Sequence, residues 1–166
     1  MVVNGMERDY IVHDDDNVRG FFGEYRWLSN FHQRPVLWMG LGFTSTEAAY
    51  QASKCTNIDA ARVFQNYTAA QSKTHSPDSP KNWHKNKFNI MAQIVFQKFL
   101  IHPELRELLL ETGDRHLEET NHWNDVYWGV CNGNGENNLG KILMCTRKYF
   151  KELELLRDDS AEYIQI

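Results

Sequence analysis

The sequence predicts an α+β fold: one compact domain over residues 1–166, mostly helical, with a few short strands. Three observations carry that expectation. Trp83, Phe88, Met91, Ala92, Val95 and Phe99 recur at helical spacing over about four turns. Apolar runs with strand character are short and bounded by glycine, as in Gly20-Phe21-Phe22-Gly23. The length of 166 residues fits a single core, and the sequence shows neither a linker nor an internal repeat.

Residues 1–18 are a polar lead, predicted as a loose arm with one edge strand at Tyr10-Ile11-Val12. Asp14-Asp15-Asp16 reads as a solvated turn, because three consecutive side chains diverge too far to share a metal. Gly20 to Gly23 is predicted as a strand. In Trp27-Leu28-Ser29-Asn30-Phe31 an amide lies between apolar neighbours, so Asn30 either fixes a loop or grips a ligand. Pro35 to Phe43 reads as a hairpin with its glycines at the bend, leading directly into a helix.

That helix, Thr44 to Lys54, has a marked start. Thr44 or Ser45 supplies the N-cap, and Thr44 with Glu47 has capping-box spacing. Glu47, Tyr50, Gln51 and Lys54 share one face, while Ala48, Ala49 and Ala52 form a small-residue face opposite. Taken alone, Glu47 reads as a capping residue on the wet side of a surface helix.

A second helix is predicted from Asn57, its cap, to Gln71, with Ala60, Ala61, Phe64 and Tyr67 inward. His75 to Pro80 is a loop by composition. The long helix from Trp83 carries Lys81, His84, Lys85 and Lys87 at its start, where cations oppose the helix dipole. Either that face is simply solvated or an anion lies near it. His102-Pro103 breaks this helix, and a short one from Glu104 to Glu111 turns Leu105, Leu108 and Leu109 inward and stops at Gly113. Leu117 to Val130 mixes strand and loop residues and is dense in Trp, Asn and carboxylate. A Gly/Asn loop, Gly133 to Gly140, opens into the last helix, Leu139 to Leu156, striped by Ile142, Leu143, Tyr149, Phe150 and Leu153. Residues 158–166 are predicted as a mobile tail.

The totals exclude several classes. A net charge of −4 gives no global basic field for non-specific nucleic-acid binding, though a local basic pocket for a nucleotide remains open. Cys55, Cys131 and Cys145 are odd in number and lack C-x-x-C, which argues against a disulfide framework and against a cysteine zinc site. A reducing cytoplasm is the expected setting. Met1 to Asp16 has no basic-then-apolar secretory pattern, and no run of about 18 apolar residues exists to span a membrane. The seven His show no metal-ligand spacing, so neither a metal nor a cofactor is expected.

Polar groups gather among aromatics in three places: Glu47 to Lys54, Trp83 to Lys87, and Glu119 to Asn137. Asp125 stands near Trp123, Tyr127 and Trp128; an apolar setting would suit it to acid/base work, whereas a turn would use it as a cap. The Gly/Asn loop before a helix offers N–H groups to an anion, but it lacks the Gly-Lys-Ser/Thr of a P-loop. No Ser or Cys has a nucleophile context. Carboxylate, amide, lysine and aromatic groups remain, which suit cleavage of a glycosidic bond and equally suit nucleotide binding.

Several segments together resemble the YbiA/NADAR family, named for NAD and ADP-ribose. They are Gly23-Glu24-Tyr25-Arg26-Trp27-Leu28-Ser29-Asn30-Phe31, then Glu47…Tyr50-Gln51-Ala52…Lys54, then Trp83…Lys87…Met91 and Lys98-Phe99 with Pro103-Glu104-Leu105-Arg106. Leu109-Leu110…Thr112-Gly113-Asp114, Asn121…Trp123…Asp125…Trp128-Gly129 and Gly135-Glu136-Asn137-Asn138-Leu139-Gly140-Lys141-Ile142-Leu143-Met144…Arg147 follow in family order. Each is weak alone, and the ordered set is specific.

The resemblance implies a YbiA-like α+β domain and an N-glycoside hydrolase without a cofactor. It implies an ADP-ribose-type or ribose-phosphate ligand. Family members act on phosphorylated ribosylamino intermediates of riboflavin synthesis or remove ADP-ribose from guanine in DNA or RNA, and the Asn-x-Trp-x-Asp-x-x-Trp-Gly-Val-Cys form here is closer to the second group. By motif, Glu47 and Asp125 take the acid/base and charge-stabilising roles, in either order. Lys54 binds phosphate or attacks the opened sugar as a Schiff base. Asn30, Tyr50, Gln51, Trp83, Lys87, Glu119, Trp123, Trp128 and Asn137 are the expected substrate-binding set, with Trp83 or Trp128 stacking on the base. Many members carry His directly after the helix Glu, where this chain has Ala48. That departure keeps a binding module without turnover as an alternative.

Overall fold

The structure, a computed structural model, describes residues 2–3, 6–7 and 11–162. Strand β1 (Val2–Val3) pairs antiparallel with β2 (Met6–Glu7). Strand β3 (Val12–His13) pairs antiparallel with β4 (Asn17–Arg19). Asp14 closes the turn between them, its Oδ1 accepting from the backbone N–H of Asp16 at 2.9 Å and of Asn17 at 2.7 Å. The acidic triplet is thus the solvated turn expected. The arm predicted as loose is paired into a sheet from Val12 onward, while Tyr10 of the expected edge strand lies outside the described residues.

Gly20 to Gly23 is not a strand. Gly20 adopts φ +81° and ends the extended run, and Gly23–Leu28 forms a 3-10 helix. A positive φ is inexpensive for glycine and interrupts a ladder. The predicted hairpin is present as β5 (Val36–Trp38) and β6 (Leu41–Phe43). Met39 at φ 51° and Gly40 at φ 76° form its two-residue bend, the left-handed pair that matches strand twist.

Helix α1 (Thr46–Ala52) is buried on every side, so it is not a surface helix. Ser45 is its cap, accepting from Ala48 N at 3.2 Å, while the Thr44 hydroxyl donates to the carbonyl of Tyr67. With Ser45 as cap, the third helical position is Ala48, so the expected Thr44–Glu47 capping box does not form. Asn57 caps α2 (Ile58–Val63) as predicted. The single predicted helix to Gln71 is divided: a 3-10 turn at Phe64–Asn66 follows α2, and α3 (Ala69–Thr74) starts afresh from a capping box between Thr68 and Gln71.

The long helix α4 spans Trp83–Ile101, and α5 spans Pro103–Glu111 with proline at its first turn. Strands β7 (His116–Glu118), β8 (Thr120–Asn121) and β9 (Val130–Cys131) precede α6 (Asn138–Glu162). The last helix outruns its predicted end at Leu156 and reaches into the predicted tail; residues 163–166 lie outside the described residues. Tyr149 and Leu153 of its expected stripe are half-exposed, while Ile142, Leu143 and Phe150 are buried.

The sheets are small. β4 lies between β3 and β7 and pairs parallel with β7; β8 pairs parallel with β9. Helices α4 and α6 pack on each other, α1 packs against α3 and α4, and β7 lies against α6. Ile94, Val95 and Phe99 of α4 meet Leu143 and Phe150 of α6 and Leu109 of α5 in one continuous core. That core holds α1 from behind by its alanines: Ala48 and Ala49 have no exposed surface.

Candidate active site

One cavity of about 340 Å³ opens beside α1. Six parts of the chain build it: the segment from Phe21 to Phe31 around the 3-10 helix, α1, α3 through Lys73, α4 through Met91, the stretch from Glu119 to Trp128, and α6 through Leu139. Asn30, Glu47, Tyr50, Glu119, Trp123, Asp125 and Trp128 all line it, so seven predicted residues from three separate stretches converge on one space.

Glu47 is held from two directions. Its backbone N–H donates to Asn30 O at 3.0 Å, which ties the start of α1 to the 3-10 segment. Its carboxylate accepts from Gln51 Nε2 at 2.7 Å, and Lys73 Nζ lies 3.9 Å from the same oxygen. Burial pushes this carboxyl above its ordinary range, and Lys73 and Gln51 oppose that push. The Asn30 amide finds its partner in Met91, donating to Sδ at 3.4 Å.

The loop from Asn121 to Val130 is wound around one amide. Asn121 Oδ1 accepts from the backbone N–H of Trp123 at 3.3 Å and of Asp125 at 3.1 Å, and Nδ2 donates to the carbonyl of Asp125 at 2.8 Å. Asp125 in turn accepts at Oδ1 from the N–H of Trp128 at 2.8 Å and of Tyr127 at 3.2 Å. It is a turn cap, as one of its two readings expected, and it also stands on the wall of the cavity.

Glu119 enters from the end of β7. Its backbone N–H donates to Asn137 Oδ1 at 3.0 Å, and its carbonyl accepts from Val130 N at 2.9 Å. Gly129 is obligatory beside it, since a Cβ there would collide with the Glu119 carbonyl oxygen. Oε2 of Glu119 is enclosed and has no hydrogen-bond partner among the described residues. Burial, with the charges of Asp125 and Glu47 added, pushes its carboxyl up to about 8.

Tyr50 is braced by two indoles, Trp83 at 5.2 Å and Trp128 at 5.6 Å between ring centroids. Trp83 is buried behind Tyr50 and off the cavity wall. Gln51 is likewise buried and touches the site only through Glu47. Asn137, at φ 51°, bridges Glu119 N and Leu117 O as a structural clamp. Lys87 is drawn to the face of Tyr127, with Nζ 3.2 Å from the ring centroid, and so lies off the wall. Lys54 also lies elsewhere: Nζ donates to Ser76 Oγ at 2.8 Å, on the side of a separate hollow lined by Cys55, Phe64 and His75.

Four N–H groups at the end of the Gly/Asn loop are already engaged within the fold. Those of Glu136, Asn137, Asn138 and Leu139 donate to the carbonyls of Val126, Gly129, Tyr127 and Trp128. The loop thus fastens the start of α6 to the Asp125 turn.

Arg26 and Lys73 also line the cavity and are not among the predicted site residues. Nothing in the spacing of Arg26 separates it from an ordinary surface cation. Lys73 had a usable signal, since the Thr68-x-x-Gln71 capping box marks a new helix that turns toward α1. Among the described residues no cluster of His, Cys, Asp and Glu suits a metal, and no helix is long and apolar enough to cross a membrane.

The profile of the NADAR domain matches residues 18–151. The chain is 32% identical over 155 residues to a riboflavin biosynthesis protein of Vibrio vulnificus (strain YJ016), covering 90% of this chain and 40% of that protein. It is 32% identical over 139 residues to an N-glycosidase of Nostoc punctiforme, covering 78% of this chain and 88% of that one. The NMR structure of the Escherichia coli protein YbiA matches with a TM-score of 0.72 at 31% identity, over 89% of this chain and 92% of that chain.

Proposed function

The chain belongs to the NADAR domain family and acts as a hydrolase on N-glycosyl bonds, and we propose that the bond it cleaves joins ribose to a base, with ADP-ribose on guanine in nucleic acid as the substrate. The observation that carries this reading is the convergence of Glu47, Glu119 and Asp125 on one cavity whose wall also holds Trp123, Trp128, Arg26 and Lys73. Breaking a ribose–base bond develops positive charge on the sugar and negative charge on the base. Carboxylates steady the first and activate the attacking water, and an acid relieves the second. Arg26 and Lys73 suit phosphate oxygens near the sugar. Trp123 is 51% exposed, and a half-exposed indole on the wall of a cavity suits stacking on a base of a strand too large to enter whole.

A second substrate class has its own support. The Vibrio relative is a riboflavin biosynthesis protein and aligns over most of this chain, so a phosphorylated ribosylamino pyrimidine is the competing substrate. A binding module without turnover rests on Ala48 alone. Ala48 is fully buried in the core and off the cavity wall, so the His-to-Ala difference leaves all three carboxylates in place.

The test is base release from ADP-ribosyl-guanine DNA and, separately, from the ribosylamino-pyrimidine phosphates. Release from the DNA, lost in both Glu47→Ala and Asp125→Ala, supports the reading. Release from the pyrimidine phosphates alone moves the substrate to the second class. Tight ADP-ribose binding with no release from either would establish a binding module.

A further inference from the structure

The three carboxylates on the cavity wall are not equivalent. Asp125 accepts two backbone N–H groups at Oδ1. Glu47 accepts from the Gln51 amide and has the Lys73 ammonium beside it. Glu119 has no such support: Oε2 is enclosed without a donor among the described residues, and the charges that act on it, Asp125 and Glu47, are of its own sign. A buried carboxyl oxygen without a donor or a cation is the poorest place in the cluster for negative charge. Glu119 is therefore suited to hold a proton.

We infer that Glu119 is the general acid of this site, donating its carboxyl proton to the departing base, while Glu47 and Asp125 work as carboxylates. The inference rests on the N-glycosidase reading above and goes beyond it by separating the roles of the three acids. The C1′–N bond breaks and its electron pair stays with the base. The Glu119 proton moves to the base and neutralises it. Water adds to C1′ of the oxocarbenium ion, steadied by Glu47 and Asp125, and the proton that water releases returns to Glu119. The products are the free base and the ribose hydroxyl, and the enzyme is restored.

The position suits the task. Asn137 and Val130 clamp the Glu119 backbone on both sides, so the acid is fixed on the wall rather than carried on a free loop. The remaining charged groups on the cavity wall are Lys73 from α3 and Arg26 from the 3-10 segment. Burial and the neighbouring carboxylates hold the Glu119 carboxyl at about 8, so it is charged with a proton at neutral pH. General acids in this position contribute about 100- to 10,000-fold.

The experiment is the pH profile of base release in the full chain, with Glu119→Gln as the variant. In the wild type kcat falls as pH rises above about 8, because the acid loses its proton. Glu119→Gln loses about 100-fold or more at neutral pH, with KM changed by a few fold, and its remaining rate no longer falls on that alkaline limb. A glutamine that keeps the rate and the limb would overturn the assignment. A wild type that releases no base from any N-glycoside would instead overturn the function reading, so the two failures are distinct.

Folding supplies a second measurement that does not need turnover. The folded pKa lies above the ordinary 4.5, so Glu119 contributes stability below about pH 4.5 that is lost as pH rises through about 8. The melting temperature of Glu119→Gln relative to wild type therefore rises between those values and levels off above them. A flat difference across that window would show Glu119 already ionised, and the proposal would fall.

Discussion

Gln51 Nε2 donates to Glu47 Oε1 at 2.7 Å, one turn along α1, with both side chains buried. Gln51 Oε1 has no partner among the described residues, so this amide is spent on aiming and charging Glu47. Gln51→Leu is expected to lower kcat by about 10- to 100-fold, since the loss of one donor to a charged group is worth about 1.5–3 kcal/mol. Stability should change by less than about 1 kcal/mol, because the unpaired Oε1 leaves with the donor. Base-release kinetics and thermal melting of the same variant check both halves; a large fall in melting temperature with unchanged kcat would make the pair structural.

The two lysines nearest α1 should separate. Lys73 lies 3.9 Å from Glu47 Oε1 and lines the cavity, so Lys73→Ala is expected to weaken substrate binding and to move Glu47 further above the ordinary carboxylate range. Lys54 is held by Ser76 on another hollow, so Lys54→Ala is expected to stay within a few fold of wild type. Borohydride trapping with substrate is the sharper check on Lys54. An adduct present in the wild type and lost in Lys54→Ala would show that this side chain swings into the cavity and attacks the sugar.

The contrast between those lysines marks where the sequence was legible. Helical spacing located α4, and cap residues located α2 and the end of α5, because these depend on neighbours in the chain. Glu47, Asp125 and Trp128 could be placed together because ordered motifs carried them. The strand at Gly20 to Gly23 failed because positive φ at Gly20 and Gly23 outweighs two phenylalanines in the decision between extended and turned backbone. Lys54 and Lys87 could not be assigned from their helix faces. Each is captured by a group distant in sequence, Ser76 and the Tyr127 ring, and no periodicity reports such a contact.

Asn121 belongs to a sequence motif, and its part in the site emerges only from the folded loop. One side chain accepts from Trp123 and Asp125 and donates to the Asp125 carbonyl, so it sets the turn that aims Asp125. Asn121→Ala leaves these buried groups unpaired, and the cost is expected to be about 2–4 kcal/mol. Activity should be lost at temperatures where the variant is still folded, which circular dichroism and base release measured together will show. Full activity in a folded Asn121→Ala would mean that the loop is held by its other bonds alone.

Lys98 gives a prediction of opposite sign to Glu119 and lies off the cavity wall. Its Nζ is buried and donates to the carbonyls of Trp27 at 2.5 Å and Ser29 at 3.2 Å, anchoring the segment that carries Asn30 into the cavity. Burial lowers its pKa from 10.5 to about 7. The fold thus favours the neutral amine, and the unfolded chain binds a proton between those values that the folded chain does not. Stability from this group is present above about 10.5, is lost as pH falls toward about 7, and stays lost below it. The change is several kcal/mol at about 1.4 kcal/mol per unit. Lys98→Met removes that dependence but leaves two carbonyls unpaired, at about 1–3 kcal/mol each. Relative to wild type, the variant should therefore be nearly as stable at pH 6 and clearly less stable at pH 10. Urea denaturation at the two pH values measures this, and a constant difference would show that the lysine stays charged inside the fold.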